Sequence, residues 1–114
     1  MSYQQGDIVI VPFPFTDLSD NKVRPALVVS NNFINSSQDV ILVQITTQPQ
    51  TGPYALKINN GDVSTPFKHP HTEQYIVCKK IAVIEKSIIR RKITVLDSVK
   101  LNEVIQKVKT LFDN

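Results

Sequence analysis

The sequence is poor in residues on which several protein classes depend. Its 114 residues include one cysteine, Cys78, and no tryptophan. One cysteine cannot form an internal disulfide, so a disulfide-stapled secreted scaffold is excluded, and Cys78 is expected to be a small buried apolar residue. The longest apolar runs, such as residues 8–11 and 40–43, fall far short of the ~20 residues of a membrane-spanning helix. The first residues carry neither the basic cluster nor the apolar segment of a signal peptide, so we expect a cytoplasmic protein with no membrane partner.

The rest of the composition is that of an ordinary globular chain. Hydrophobic residues make up 41% and charged residues 20% of the sequence, with 3 glycines and 7 prolines. These proportions exclude a disordered or collagen-like chain. A length of 114 residues suits one hydrophobic core, so we expect a single domain over residues 1–114.

Positive charge is concentrated in one segment, although the net charge is only +3. Residues 79–92 contain Lys79, Lys80, Lys86, Arg90, Arg91 and Lys92 against the single acid Glu85. Such a segment is typical of a solvated edge strand, where lysines discourage aggregation. It also suits a polyanionic partner, either a nucleic acid or an acidic protein. Composition alone leaves both interpretations open.

Short β-branched runs separated by proline, glycine, asparagine and serine predict a mostly β chain. Strands are predicted at residues 7–13, 26–31, 39–46, 54–58, 74–84 and 92–96, with a bend near Lys80. Short strands at this spacing favour a small barrel or a strongly curved antiparallel sheet.

The last segment follows the period of a helix instead. Apolar residues recur three and four positions apart at Leu101, Val104, Ile105, Val108, Leu111 and Phe112. This pattern predicts an amphipathic C-terminal helix. Asp97 is a suitable N-cap, and Leu96 and Leu101 are spaced to form a hydrophobic staple.

Common catalytic and metal-binding motifs are missing from the sequence. It contains no Gly-rich phosphate loop, no nucleophile elbow and no His-Glu-x-x-His motif. His69 and His71, in the long connection 59–73, supply at most two metal ligands, with no third at ligand spacing. Exposed loop histidines are therefore favoured over a metal site or a histidine acid–base pair, and no cofactor is expected.

Two positions next to predicted loops carry side chains suited to phosphate chemistry. Arg24 directly precedes Pro25, which biases it towards an extended backbone at a strand entrance. A guanidinium held there presents a planar fork that suits a phosphate. Thr46 and Thr47 close the third strand, where a hydroxyl could face a site. Taken singly, a surface arginine and strand threonines bonded to local backbone remain the simpler interpretations.

A series of short segments, weak individually, forms a specific pattern through its order and spacing. The first three are Gly6-Asp7-Ile8-Val9, Phe13-Pro14-Phe15-Thr16-Asp17 and Lys22-Val23-Arg24-Pro25-Ala26-Leu27-Val28-Val29-Ser30. Ile45-Thr46-Thr47-Gln48, Lys79-Lys80-Ile81 and the helix 101–111 follow. Together they resemble the MazF/PemK (Kid) family of toxin endoribonucleases of type II toxin–antitoxin systems, over nearly the whole chain.

The resemblance implies a small SH3-like barrel of the CcdB/MazF kind with a C-terminal helix, working as a homodimer. It further implies metal-independent cleavage of single-stranded RNA, with the ribose 2′-hydroxyl attacking its own phosphate to leave a 2′,3′-cyclic phosphate and a 5′-hydroxyl. Arg24 matches the catalytic arginine of the family, and Thr46 the threonine that holds the scissile phosphate. Asp20 is the nearest match to an acidic residue that some members use, and Thr47 is a second candidate for positioning the phosphate. Because arginine stays protonated at ordinary pH, we expect Arg24 to act electrostatically.

The remaining expectations concern binding partners. Five polar residues are candidates for contacting RNA or an acidic antitoxin: Lys22, Gln48, Lys79, Lys80 and Lys86. Tyr54, Phe67 and Tyr75 are candidate stacking rings, with core packing as the alternative. The loop Ser64 to Glu73, which contains His69 and His71, is expected to tune access or sequence choice.

Two other functions compete with the nuclease. One is a protein-directed poison like the CcdB branch, which traps DNA gyrase and ends in a Trp-Gly-Ile tail; the absence of tryptophan here disfavours it. The other is an inactive relative that binds RNA or antitoxin without cutting.

Overall fold

A single antiparallel sheet organises the computed structural model, which describes residues 2–12, 23–67 and 73–114. The elements in those ranges are β1 (Asp7–Val11), β2 (Arg24–Val28), α1 (Asn32–Asn35), β3 (Asp39–Thr46), β4 (Ala55–Ile58), β5 (Gln74–Glu85), β6 (Arg91–Val95) and α2 (Ser98–Thr110). Short 3-10 turns lie at Asn60–Asp62 and Lys86–Ile88. The strand order is β4-β5-β3-β2-β1-β6, and every neighbouring pair is antiparallel.

Apolar side chains alternate between the two faces of the sheet, and both faces are buried. The first, here called the helix face, carries Ile8, Leu27, Val43, Ile45, Ile76 and Cys78, packed with Val104 of α2. The second, here called the inner face, carries Val9, Val11, Ala26, Val28, Val40, Leu42, Ala82 and Ile84, closed by Tyr3 and Ile89. The sheet curls into a half-barrel with a C-terminal helix, which confirms the predicted fold class.

A large bulge in β5 produces the bend that was predicted near Lys80. Val43 of β3 pairs with Ile81, whereas the next residue, Gln44, pairs with Val77. Residues 78–80 therefore have no partner in the register with β3. Because three extra residues are an odd number, the faces to which alternate side chains of β5 point are exchanged after the bulge. As a result, Ile76 points to the helix face before the bulge and Ala82 to the inner face after it.

The second strand lies earlier than predicted, over Arg24–Val28 instead of residues 26–31. The residue before a proline favours extended backbone, so Arg24 joins the strand. The strand ends early because Asn31 caps a short helix, α1, its side chain accepting a hydrogen bond from the backbone N–H of Ile34 at 3.0 Å. Sequence analysis missed this helix, which is only one turn long. The first strand ends at Val11, and Phe13, its predicted last residue, lies outside the described ranges.

The C-terminal helix begins as predicted. The carboxylate of Asp97 accepts a hydrogen bond from the backbone N–H of Lys100 at 2.8 Å, as an N-cap does. Leu96 and Leu101 belong to the cluster on the helix face. Gly6 has a φ of 101°, and a Cβ there would lie 3.1 Å from Leu101 Cδ2, so a glycine is required where β1 meets this helix. Among the described residues, no helix combines the length and the apolar character needed to cross a bilayer.

Candidate active site

Strand register brings four polar side chains into one row at an end of the sheet. Ala26 of β2 pairs with Gln44 of β3, and continuing this register by two residues places Arg24 opposite Thr46. Thr46 pairs with Tyr75 of β5, which in turn pairs with Lys57 of β4. Residues opposite one another in neighbouring strands point to the same face. We call Arg24, Thr46, Tyr75 and Lys57 the polar row.

The polar row continues the inner face beyond its apolar cluster. Arg24 is two residues from Ala26 and Thr46 is four from Leu42, and both of those side chains belong to the inner-face cluster. Because side chains two or four apart in a strand share a face, the row lies at the open end of that face. Arg24 and Thr46 are half-buried, and the strands hold their backbones.

The hydroxyl of Thr46 accepts a hydrogen bond from the backbone N–H of Gln48 at 3.1 Å. This is the local bonding that sequence analysis gave as the simpler interpretation. The bond uses the oxygen as an acceptor, which leaves the hydroxyl proton to be donated. Thr46 can therefore keep its backbone contact and still donate to an anion. Thr47 and Gln48 follow in the exposed turn.

An ion pair and a hydrogen bond fix the other half of the row. Glu73 accepts a hydrogen bond from Lys57 Nζ at 2.8 Å and one from the Tyr75 hydroxyl at 2.5 Å. These bonds favour the ionised carboxylate, so they lower the pKa of Glu73 and raise the pKa values of Lys57 and Tyr75. The strand register places Tyr75 next to Thr46, and the network anchors the Tyr75 hydroxyl on Glu73.

The three candidate stacking rings thus differ in position. Tyr54 and Phe67 pack against the cluster on the helix face, as the alternative of core packing predicted. Tyr75 instead lies in the polar row. Sequence analysis did not find its partners, Lys57 and Glu73, because they belong to another strand and to a loop.

Gln44 lies beneath the row, and sequence analysis overlooked it. Its side chain is only 7% exposed, on β3 two residues before Thr46. Its Oε1 atom is buried and has no hydrogen-bond partner in the part of the chain that the structure describes. The signal available in the sequence was a lone polar residue inside the apolar run 40–45. A buried amide normally has a hydrogen-bond partner, so such a residue is a candidate for a binding role.

The structure separates the predicted basic residues. Lys79 and Lys80 are exposed in the bulge of β5. Lys86 lies just beyond the far end of β3, where Asp39 pairs with Glu85, and donates a hydrogen bond to the carbonyl of Asn35 at 2.5 Å. Lys86 is therefore at the opposite end of the sheet from the polar row.

Cys78 is fully buried on the helix face, as predicted. Burial raises the pKa of its thiol to about 11, because an apolar environment disfavours the thiolate. The thiol is thus an apolar core group and not a nucleophile.

Four of the residues singled out in the sequence lie outside the described ranges: Asp20, Lys22, His69 and His71. Within the described ranges, no group of three or more histidine, cysteine, aspartate or glutamate side chains is arranged to hold a metal ion. Ser64, at the start of the predicted specificity loop, contacts β6, where its backbone N–H donates to the carbonyl of Val95 at 3.0 Å.

Solved structures share this fold at low sequence identity. A mycobacterial endoribonuclease in complex with its cognate antitoxin is 21% identical with a TM-score of 0.76, covering 96% of this chain and 93% of that one. MazF from Deinococcus radiodurans is 17% identical with a TM-score of 0.73, covering 100% and 99%. The Mycobacterium tuberculosis toxin MazF-mt6 is 16% identical with a TM-score of 0.71, covering 94% and 96%.

Comparison at the level of sequence gives the family. None of the curated proteins searched matches the chain. The model of the family described as PemK-like, MazF-like toxin of type II toxin-antitoxin system matches residues 4–112, which confirms the resemblance seen in the sequence. The chain therefore belongs to the PemK-like, MazF-like toxins of type II toxin–antitoxin systems.

Proposed function

We propose that this toxin is a sequence-specific endoribonuclease that cleaves single-stranded messenger RNA in the cytoplasm and thereby inhibits translation and growth. The observation that carries the proposal is the pairing of Ala26 with Gln44, because this register, continued by two residues, sets Arg24 opposite Thr46 at an end of the sheet. A fixed cation and a hydroxyl donor on one face are what an oxyanion on phosphorus requires. The family and the endoribonuclease described among the structural neighbours support the same activity.

In the proposed reaction, the ribose 2′-oxygen attacks the adjacent phosphorus and forms a P–O bond. The bond from phosphorus to the 5′-oxygen breaks, the 2′-oxygen gives up its proton to water, and the 5′-oxygen takes one from water. The products are a 2′,3′-cyclic phosphate and a 5′-hydroxyl. Because the nucleophile belongs to the substrate, the protein need only orient it and stabilise charge, and no metal-activated water is required.

Arg24 and Thr46 would divide the stabilisation of the pentavalent phosphorane between them. The planar fork of Arg24 donates to two phosphate oxygens and stays charged throughout. The Thr46 hydroxyl donates its remaining proton to a non-bridging oxygen. Tyr75, which pairs with Thr46 across β5 and β3, offers a ring on which a flanking base can stack. Asp20 remains the nearest match to the acidic residue that some members of the family use.

The partners of the toxin would be a second copy of itself and an acidic antitoxin. A structural neighbour was solved with its cognate antitoxin, and another is a MazE-MazF complex. Lys79 and Lys80 are exposed cations that an acidic antitoxin segment and the RNA backbone would both attract. Competition between antitoxin and RNA for one positive surface follows from this arrangement.

The test is incubation of the purified toxin with a long end-labelled single-stranded RNA in excess EDTA. We expect cuts at a short recurring sequence with cyclic-phosphate ends. A substrate with a 2′-deoxy sugar at the cut site should remain whole, because it lacks the nucleophile. RNA that stays intact, bound or unbound, would defeat the proposal and leave an inactive relative or a protein-directed poison.

A further inference from the structure

A cavity of about 460 Å³ opens on the helix face, directly behind the polar row. Ile10, Pro25, Phe67, Gln74, Arg91 and Thr94 are among the residues that line it. Pro25 follows Arg24 in β2, and Gln74 precedes Tyr75 in β5. Successive residues of a strand point to opposite faces. A flexible strand of RNA that crosses the end of the sheet at Arg24 and Thr46 would therefore reach this cavity.

The side-chain amide of Gln74, in the cavity wall, lacks a hydrogen-bond donor for its oxygen among the described residues. Gln74 is 9% exposed, and its Oε1 atom is buried without a partner in that part of the chain. A buried acceptor without a donor destabilises the fold, so a ligand to which the amide can turn and bond would be favoured. An amide offers one acceptor and two donors, so it suits the hydrogen-bonding edge of a base.

Positive charge at the rim supplies the second element of the site. Arg91 is exposed and pairs with Ile10 across β6 and β1. Its guanidinium makes no ion pair among the residues that the structure describes, in contrast to Lys92, whose Nζ lies 3.4 Å from a carboxylate oxygen of Asp7. Arg91 is thus available to a phosphate.

The remaining walls are apolar or already satisfied. The Phe67 ring packs against the cluster on the helix face, and Ile10 and Pro25 face it as paired residues of β1 and β2. The hydroxyl oxygen of Thr94 accepts a hydrogen bond from the backbone N–H of Thr65 at 2.9 Å. Among the described lining residues, the polar groups that we assign to a ligand are therefore the Gln74 amide inside and the Arg91 guanidinium at the rim.

We propose that this cavity binds one nucleotide of the RNA substrate, flanking the cut site, and contributes to sequence choice. The base enters between Phe67 and Pro25, its polar edge bonds to the Gln74 amide, which turns towards it, and its phosphate contacts Arg91. A cavity of about 460 Å³ lies within the size range of small-molecule pockets. This inference rests on the proposed function, because it assumes an RNA that passes through the polar row.

The experiment measures binding without cleavage. The probe is a fluorescently labelled RNA that carries the identified cut site with a 2′-deoxy sugar there; a mixed-sequence RNA replaces it if no cutting is found. Arg91→Met is compared with Arg90→Met, which removes the same charge from the neighbouring exposed residue. We expect Arg91→Met to weaken binding roughly tenfold, and Arg90→Met by clearly less. Equal losses would overturn the proposal.

Gln74→Leu tests the base contact, and abasic substitutions along the RNA locate it. We expect this variant to weaken binding several-fold, and the loss to disappear when one particular base is removed. A loss that is the same for every abasic RNA, or no loss at all, would contradict the proposal. So would a Gln74→Leu variant that weakens binding of an acidic peptide while its RNA binding is unchanged. Thermal unfolding verifies that each variant is folded.

The two proposals can fail separately. If the wild type binds the mixed-sequence RNA, the two variants weaken that binding as described and nothing is cut, the nuclease proposal fails, and the cavity remains a nucleotide site with no part in cleavage. If the wild type cuts RNA while Gln74→Leu and Arg91→Met bind it normally, only the nucleotide site fails.

Discussion

Ile45 and Thr46 are neighbours in β3, yet one side chain lies in the apolar core and the other in the polar row. Ile45 is fully buried in the cluster on the helix face, under α2. Thr46 points to the other face, in the polar row, and is half-buried. At this end of β3, the side chain of Ile45 therefore contributes to stability and that of Thr46 to the proposed chemistry. Separate substitutions should therefore change stability and activity independently.

The largest loss of stability is expected from Ile45→Ala. Removing a fully buried isoleucine side chain leaves a cavity and should lower the free energy of unfolding by about 2–5 kcal/mol. Urea denaturation measures this change. Ile88→Ala is the matched control, because Ile88 is 41% exposed and should cost far less. Similar losses at both positions would mean that the helix face is not the main core.

Thr46→Ala should lower activity and leave stability almost unchanged. If Thr46 donates to the phosphorane, its loss should lower the cleavage rate roughly 10²- to 10³-fold, as removal of one oxyanion donor does. Unfolding should change little, since only the bond from Gln48 is lost. Thr47→Ala, next in the chain and exposed, should retain most activity. A greater loss of activity in Thr47→Ala than in Thr46→Ala would mean that Thr47, and not Thr46, contacts the phosphate.

Asp97→Ala tests the attachment of α2 to the helix face. It removes the acceptor for the Lys100 N–H, so the free energy of unfolding should fall by about 1 kcal/mol. Asp113→Ala, beyond the end of the helix and exposed, should be neutral. Cleavage by folded Asp97→Ala protein should be unchanged, whereas a parallel fall in activity would show that the two regions are coupled.

A pH-dependent change in stability should appear under alkaline conditions. Burial raises the pKa of Cys78 from 9.0 to about 11, so above pH 9 the unfolded chain loses this proton before the folded chain does. Stability therefore falls as pH rises through this window. The raised pKa values of Tyr75 and Lys57 act in the same direction, so the difference between the wild type and Cys78→Ala isolates the thiol. A difference in unfolding free energy that is constant from pH 8 to pH 11 would contradict burial of the thiol.

The fold was largely predictable because local patterns determine it. Short β-branched runs between turn residues predicted the strands, and a period of three to four predicted α2 with Asp97 as its cap. The bend near Lys80 was visible as two lysines inside an apolar run. α1 was missed because a single turn capped by Asn31 is too short for periodicity to show.

The site was only partly predictable, because its assembly depends on strand pairing. Arg24 could be identified because it precedes Pro25, and Thr46 because it closes the third strand and matches a residue of the family. The link from Thr46 to Tyr75 and Lys57 depends on a register across three strands, which a sequence does not specify. Lys86 belongs to the same basic run as Lys79, but the length of β5 carries it to the far end of the sheet.

The most direct test of the central claim is the metal-free cleavage rate of Arg24→Ala and Arg24→Lys, measured with their unfolding free energies. The account predicts that Arg24→Ala folds normally and cuts at least about 100-fold more slowly. Arg24→Lys should recover only part of the rate, since it keeps the charge and loses the planar fork. Cleavage at the wild-type rate by folded Arg24→Ala protein would contradict the account and remove the polar row from the chemistry.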